Sequence, residues 1–203
     1  MTTLVRALQR NSLSIYVALF GALVALLILS PAEATLGNVV KIVYAHGAAE
    51  RVSMYTYLIA GALGLVALAI KSASVARWTQ AATETALAFW LAQIVISAPA
   101  QVLAWGALTL DEPHVSSALW ILALTTLVYL VARWIAEPGG LALAAVANAV
   151  IVMLVLRGAL NILHPIDPII GSDSIAIKVF YAAIVLVAGM IATQCARDRA
   201  ARI

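Results

Sequence analysis

The sequence predicts an all-α integral membrane protein, a six-transmembrane-helix bundle with short loops, forming a single membrane domain over residues 1–203. Three observations carry that expectation. Apolar residues make up 65% of the chain and charged residues 10%, against roughly half and a quarter in a soluble domain. The apolar residues fall in six blocks near the ~20 residues that cross a bilayer. Short polar or Pro/Gly-containing breaks separate the blocks, as they must where backbone groups leave helical pairing.

Taken in order, residues 1–11 form a head carrying Arg6 and Arg10, and a first span is expected over about 13–30, stopping at Pro31. Ala32-Glu33-Ala34 has the form of a signal-peptidase site. The apolar run before it exceeds the ~7–15 residues of an h-region, which favours a retained span. Residues 35–53 are expected to form the first outer connection and the start of a second span, which carries on over about 54–70. Lys71 and Arg77 bound the next turn, and a third span follows over about 79–103 with Glu84 near one end and Pro99 near the other. The central stretch, AWGALTLDEPHVSSAL, interrupts the apolar pattern with a tryptophan, two adjacent carboxylates and a histidine. An unpaired charge in hydrocarbon costs several kcal/mol, so this stretch has to lie where water or a polar ligand reaches it. The fourth span is expected over about 117–135, ending at Glu137-Pro138-Gly139-Gly140, a strong helix stop. A fifth follows over about 141–162, and the loop HPIDPIIGSDS leads to a sixth over about 175–194.

Composition also excludes several function classes. The single cysteine, Cys195, leaves no internal disulfide framework, no Cys-based metal or iron–sulfur site and no CxxCH haem attachment. No GxxxxGK phosphate loop is present, so any ATP hydrolysis would belong to a partner chain. The net charge of +3 is small, and no nucleic-acid partner is expected.

Where the charges sit is more informative. Arg6, Arg10, Lys71, Arg77, Arg133, Arg197, Arg199 and Arg202 fall on the side of the termini, whereas only Lys41, Arg51, Arg157 and Lys178 fall at the opposite ends of the spans. The positive-inside rule then places both termini in the cytoplasm of a multi-pass protein of the cell (inner) membrane. His46, His114 and His164 would all face outward, on three separate connections.

Three readings of those histidines are open. Loops collect polar residues whatever their function. Imidazoles and carboxylates also bind divalent metals, although no two of these histidines share the close helical spacing of a local metal motif. Finally, His46 just before the second span and His164 just after the fifth suit bis-histidine ligation of a haem iron. Axial ligands approach a flat macrocycle from opposite faces, and so come from well-separated segments.

Around the first histidine, KIVYAHGAAERVSMYTYL resembles the stretch before the second span in the haem-handling proteins of cytochrome c assembly, of the haem exporter protein C type. The central stretch resembles their tryptophan-rich outer loop, roughly W-G-x-x-W-x-W-D-x-[RK]. Trp105-Gly106 matches its opening, Glu112-Pro113 stands where relatives have Asp-Pro, His114 stands at a basic position and Ser116 at a frequent threonine. Ile162-Leu163-His164 matches the histidine closing the fifth span. Leu108, Thr109 and Asp111 replace family tryptophans, and Ala48 and Arg51 replace a proline and a tryptophan.

The resemblance implies non-covalent, transient binding of haem b with His46 and His164 as axial ligands to its iron. It implies presentation of that haem to a haem chaperone during c-type cytochrome maturation, beside ABC transporter subunits with a separate ATPase, and no covalent chemistry of the chain's own. Trp105 is a candidate stacking platform, or an interfacial belt residue. Arg157 shares a helix face with His164 and could meet a propionate, or reach for lipid headgroups. Arg51 lies at a similar depth, and Glu112 and His114 complete the candidate set. Glu50, at i+4 from His46, is expected to pair in solvent with Arg51 or Lys41, or else to orient the imidazole. The alternative function is a non-haem structural or transport subunit of a membrane transporter complex.

Overall fold

A computed structural model describes residues 11–137, 139–159, 169 and 171–203. Its regular structure is six helices: α1 (Ser12–Leu29), α2 (Val40–Ile70), α3 (Ala73–Trp105), α4 (Pro113–Ile135), α5 (Gly140–Gly158) and α6 (Ile175–Ala200). Each is long and apolar enough to cross a membrane, and the chain is a multi-pass, six-helix membrane protein.

The central pair exceeds the predicted spans. Helix α2 has 31 residues and α3 has 33, so at ~1.5 Å per residue they reach roughly 46 and 50 Å, beyond a hydrocarbon core of about 30 Å. Helix α2 starts at Val40. His46, Glu50 and Arg51 therefore stand on the helix, whose start was expected within residues 35–53 and falls early in that stretch. Likewise α4 begins at Pro113, which puts His114 in its first turn. A proline at this position gives up an N–H that the helix start cannot use.

The helix ends have identifiable causes. The Ser72 hydroxyl accepts from Val75 N–H, the Glu112 carboxylate from Val115 N–H at 2.9 Å and the Ser174 hydroxyl from Ile177 N–H. Gly106, at φ +78°, closes α3 in the left-handed conformation that glycine adopts without steric cost. Between α1 and α2 the chain turns tightly, with Glu33 and Gly37 exchanging backbone bonds. The N–H groups of Leu36 and Thr35 hold the Glu33 carboxyl below its ordinary range.

Helices α2 and α3 pack along their length at the centre; α4 and α5 flank them on one side, and α6 with α1 on the other. Lipid tails are as apolar as leucine, so close backbone approach and polar bonds hold such helices together. Gly61 and Gly64 let α2 press onto Ala142, Ala145 and Ala149 of α5. Buried Trp90 donates its indole N–H to the Ala118 carbonyl at 2.9 Å and meets Tyr57 edge-on. The Tyr57 hydroxyl pairs with Thr125, whose carbonyl accepts from Asn148.

Helix direction sorts the polar groups into two ends. At the end holding Ser12 and Ala200, Ser12 and Gln194 both donate to Asp198. There Glu84 accepts from Arg199, Tyr129 and Gln80. Gln80 lies one turn before Glu84 on α3, and the cation comes from α6. The opposite end gathers the first turns of α2, α4 and α6 and the last turns of α3 and α5.

Candidate functional site

At that opposite end, His46 and Glu50 lie one turn apart on α2, so their side chains share a face. Helix α3 supplies the first anchor. His46 Nδ1 lies 3.2 Å from the carbonyl oxygen of Gln93. A carbonyl only accepts, so Nδ1 carries the proton and Nε2 is the nitrogen presented to the neighbourhood. Nε2 stands 3.9 Å from Glu50 Oε2. From the first turn of α4, His114 Nε2 approaches the other carboxylate oxygen, Oε1, at 3.2 Å. The ligand-type atoms of His46, Glu50 and His114 all lie within 4.8 Å of one another. The three side chains are 16–20% exposed, so the cluster is sheltered but reachable from the end of the bundle.

Each element serves this convergence. Glu112, only 3% exposed, caps α4 and fixes the turn from which His114 projects. Gln101 accepts from the backbone N–H and the hydroxyl of Thr109, tying the 106–112 loop back to α3. Ser53 donates to the Ala86 carbonyl at 2.7 Å, fixing α2 against α3 just below the site. On the α6 side, Arg51 donates through Nε to the Tyr181 hydroxyl at 3.2 Å, with its guanidinium carbon 5.9 Å from that ring's centre. Gly47 makes room for this tyrosine, since a Cβ there would stand 3.0 Å from its hydroxyl oxygen.

The structure corrects several expectations from sequence. Glu50 does not pair with Lys41, whose ammonium caps the Ile28 carbonyl at 2.6 Å; it stands between two imidazoles. His114 belongs to the same cluster as His46, although the two were expected on separate connections. Arg51 is turned to Tyr181, on the side of α2 facing α6. Trp105 ends α3 with 41% of its surface exposed, and Arg157 is exposed in the last turn of α5. His164 lies outside the described residues. Sequence reasoning passed over Gln93, which acts through its backbone, and Tyr181. Glu50 was marked by its i+4 spacing from His46, but its second partner was not.

Of the two residues expected to hold a haem iron, His46 is the one among the described residues. Its imidazole is braced through Nδ1, as metal-ligating histidines are, which leaves Nε2 as the nitrogen an iron would take. The Glu50 carboxylate stands before that nitrogen, so iron ligation there requires Glu50 to turn fully onto His114. Arg51 uses Nε on Tyr181, and its guanidinium has further N–H donors of the kind a propionate accepts.

No family model matches this sequence, and neither a curated protein nor a solved structure matches it.

Proposed function

We propose that this chain is a haem-handling membrane protein that holds haem b non-covalently at the bundle end opposite its termini. It presents that haem to a haem chaperone during c-type cytochrome maturation, working beside ABC transporter subunits that include a separate ATPase. The observation that carries the reading is the bracing of His46. Its Nδ1–H is committed to the Gln93 carbonyl, which orients Nε2 as an axial donor and raises its basicity. The match of the segments around His46, Trp105 and His164 to the haem exporter protein C pattern adds to it.

In this reading His46 and His164 would hold the haem iron through their imidazole nitrogens. The Glu50–His114 pair keeps the carboxylate away from the iron, and Arg51 and Arg157 attract the propionates. Haem brings the redox-active iron; the chain's own residues bind, orient and release it. The excess of basic side chains near the terminal end supports cytoplasmic termini in the inner membrane, and hence an outward-facing site.

The deciding experiment is the absorption spectrum of the purified protein after haem supplementation. A low-spin bis-histidine spectrum is expected, lost or shifted to high spin in His46→Ala and His164→Ala. Protein that stays colourless instead supports a structural or transport subunit without haem.

A further inference from the structure

We propose that His46, Glu50 and His114 form a binding site for a divalent transition-metal ion of the zinc class, with two imidazole nitrogens and the Glu50 carboxylate as ligands and a further position for water or a ligand. The inference goes beyond haem handling and does not rest on it.

The first support is the chemistry of the donor set. Two histidines and a glutamate are the ligand complement of an open zinc site, in which water or a substrate takes the remaining place. In a tetrahedral site with bonds of 2.0–2.2 Å, ligand atoms sit roughly 3.4 Å apart. His114 Nε2 and Glu50 Oε1 are already at 3.2 Å and His46 Nε2 and Glu50 Oε2 at 3.9 Å, with no separation above 4.8 Å. Closing the set needs side-chain movements of roughly 1 Å, while the helices stay in place.

The second support is the protonation pattern. The Gln93 carbonyl holds a proton on His46 Nδ1, which leaves Nε2 as the ring nitrogen that can coordinate an ion. At 3.9 Å Nε2 and the Glu50 carboxylate make no hydrogen bond. An ion between them would be bonded by both groups. The same carbonyl is the outer-shell acceptor that ligating histidines ordinarily have. On the third ligand, the proton that His114 Nε2 gives to Glu50 has to leave that nitrogen before it can coordinate, so metal and proton compete for it.

The ion and haem would both use His46 Nε2, so the two ligands exclude one another. A divalent metal would thus hold the site closed to haem.

The test is a titration of purified, haem-free protein in detergent with Zn²⁺ alone, followed by calorimetry, and with Co²⁺ alone, followed by its visible absorption. One equivalent should bind, with a cobalt spectrum of low coordination number. Glu50→Gln and His114→Gln should each weaken binding at least ~100-fold, the upper end of what loss of an outer-shell partner costs. Asp111→Asn, a neighbouring exposed carboxylate, should bind as the unsubstituted protein does. Circular dichroism checks that the variants fold. If either fails, diethyl pyrocarbonate labelling of the unsubstituted protein replaces the comparison: Zn²⁺ should protect His46 and His114 together. Lack of stoichiometric uptake, unchanged affinity in both glutamine variants, or absence of protection would overturn the site. Haem is left out of every arm, so failure here and failure of the haem reading are separate results.

Discussion

Glu50 on α2 and His114 on α4 meet at 3.2 Å, Oε1 to Nε2, across the end of the bundle opposite the termini. Through this contact one carboxylate joins two imidazoles, and the neighbourhood of His46 comes to depend on a residue from a different helix.

The contact predicts what a permanent cation at position 114 does. His114→Arg keeps a partner for Glu50 and draws the carboxylate off His46, so haem retention should rise. The same variant should lose divalent-metal affinity at least ~100-fold, because a guanidinium has no lone pair to give. Haem absorbance after gel filtration and zinc calorimetry read the two effects separately. Equal loss of both ligands would make His114 a haem ligand and sink the assignment of the axial pair.

A second prediction concerns the α2–α5 contact. A Cβ on Gly64 would stand 2.6 Å from the Ala142 carbonyl oxygen, a backbone atom that cannot step aside. Gly64→Ala should therefore destabilise the protein by about 1–3 kcal/mol, the usual cost of overpacking. Thermal unfolding in detergent measures it. Gly21 has nothing within 4 Å of such a Cβ, so Gly21→Ala should be neutral or slightly stabilising through helix propensity.

The terminal end offers a third test. Glu84 accepts from Arg199, Tyr129 and Gln80, so Glu84→Ala strands three donors at once. Arg199 is 44% exposed, and screening keeps its share small. A loss of about 1–2 kcal/mol is expected, mostly from the hydrogen bonds. Arg77→Ala should change stability by less than about 0.5 kcal/mol. The reverse ranking in unfolding experiments would contradict the packing of α6 on α3.

Orientation yields the fourth. An alkaline phosphatase reporter fused after Gly106 should be active, and one fused after Ala76 inactive. The opposite pattern would turn the His46–Glu50–His114 cluster to the cytoplasm and remove the basis for handing haem to an outer chaperone.

The number, order and direction of the six helices were legible in the chain, because spanning a bilayer imposes a length and an apolar content on each segment separately. Pro31 and the stretch Glu137-Pro138-Gly139-Gly140 marked two of their ends for equally local reasons. The i+4 spacing of His46 and Glu50 was also legible, since helix geometry alone puts them on one face. What no local rule could decide was which helix faces that pair. The rotation of α2 about its axis is settled where Gly61 and Gly64 press onto α5 and Ser53 bonds to α3. That rotation turns His46 to the Gln93 carbonyl, Glu50 to His114 and Arg51 away to Tyr181. Sequence alone determined that polar groups gather at this end of the membrane; only the tertiary packing decided which of them touch, because contact between helices depends on side-chain fit summed over whole interfaces.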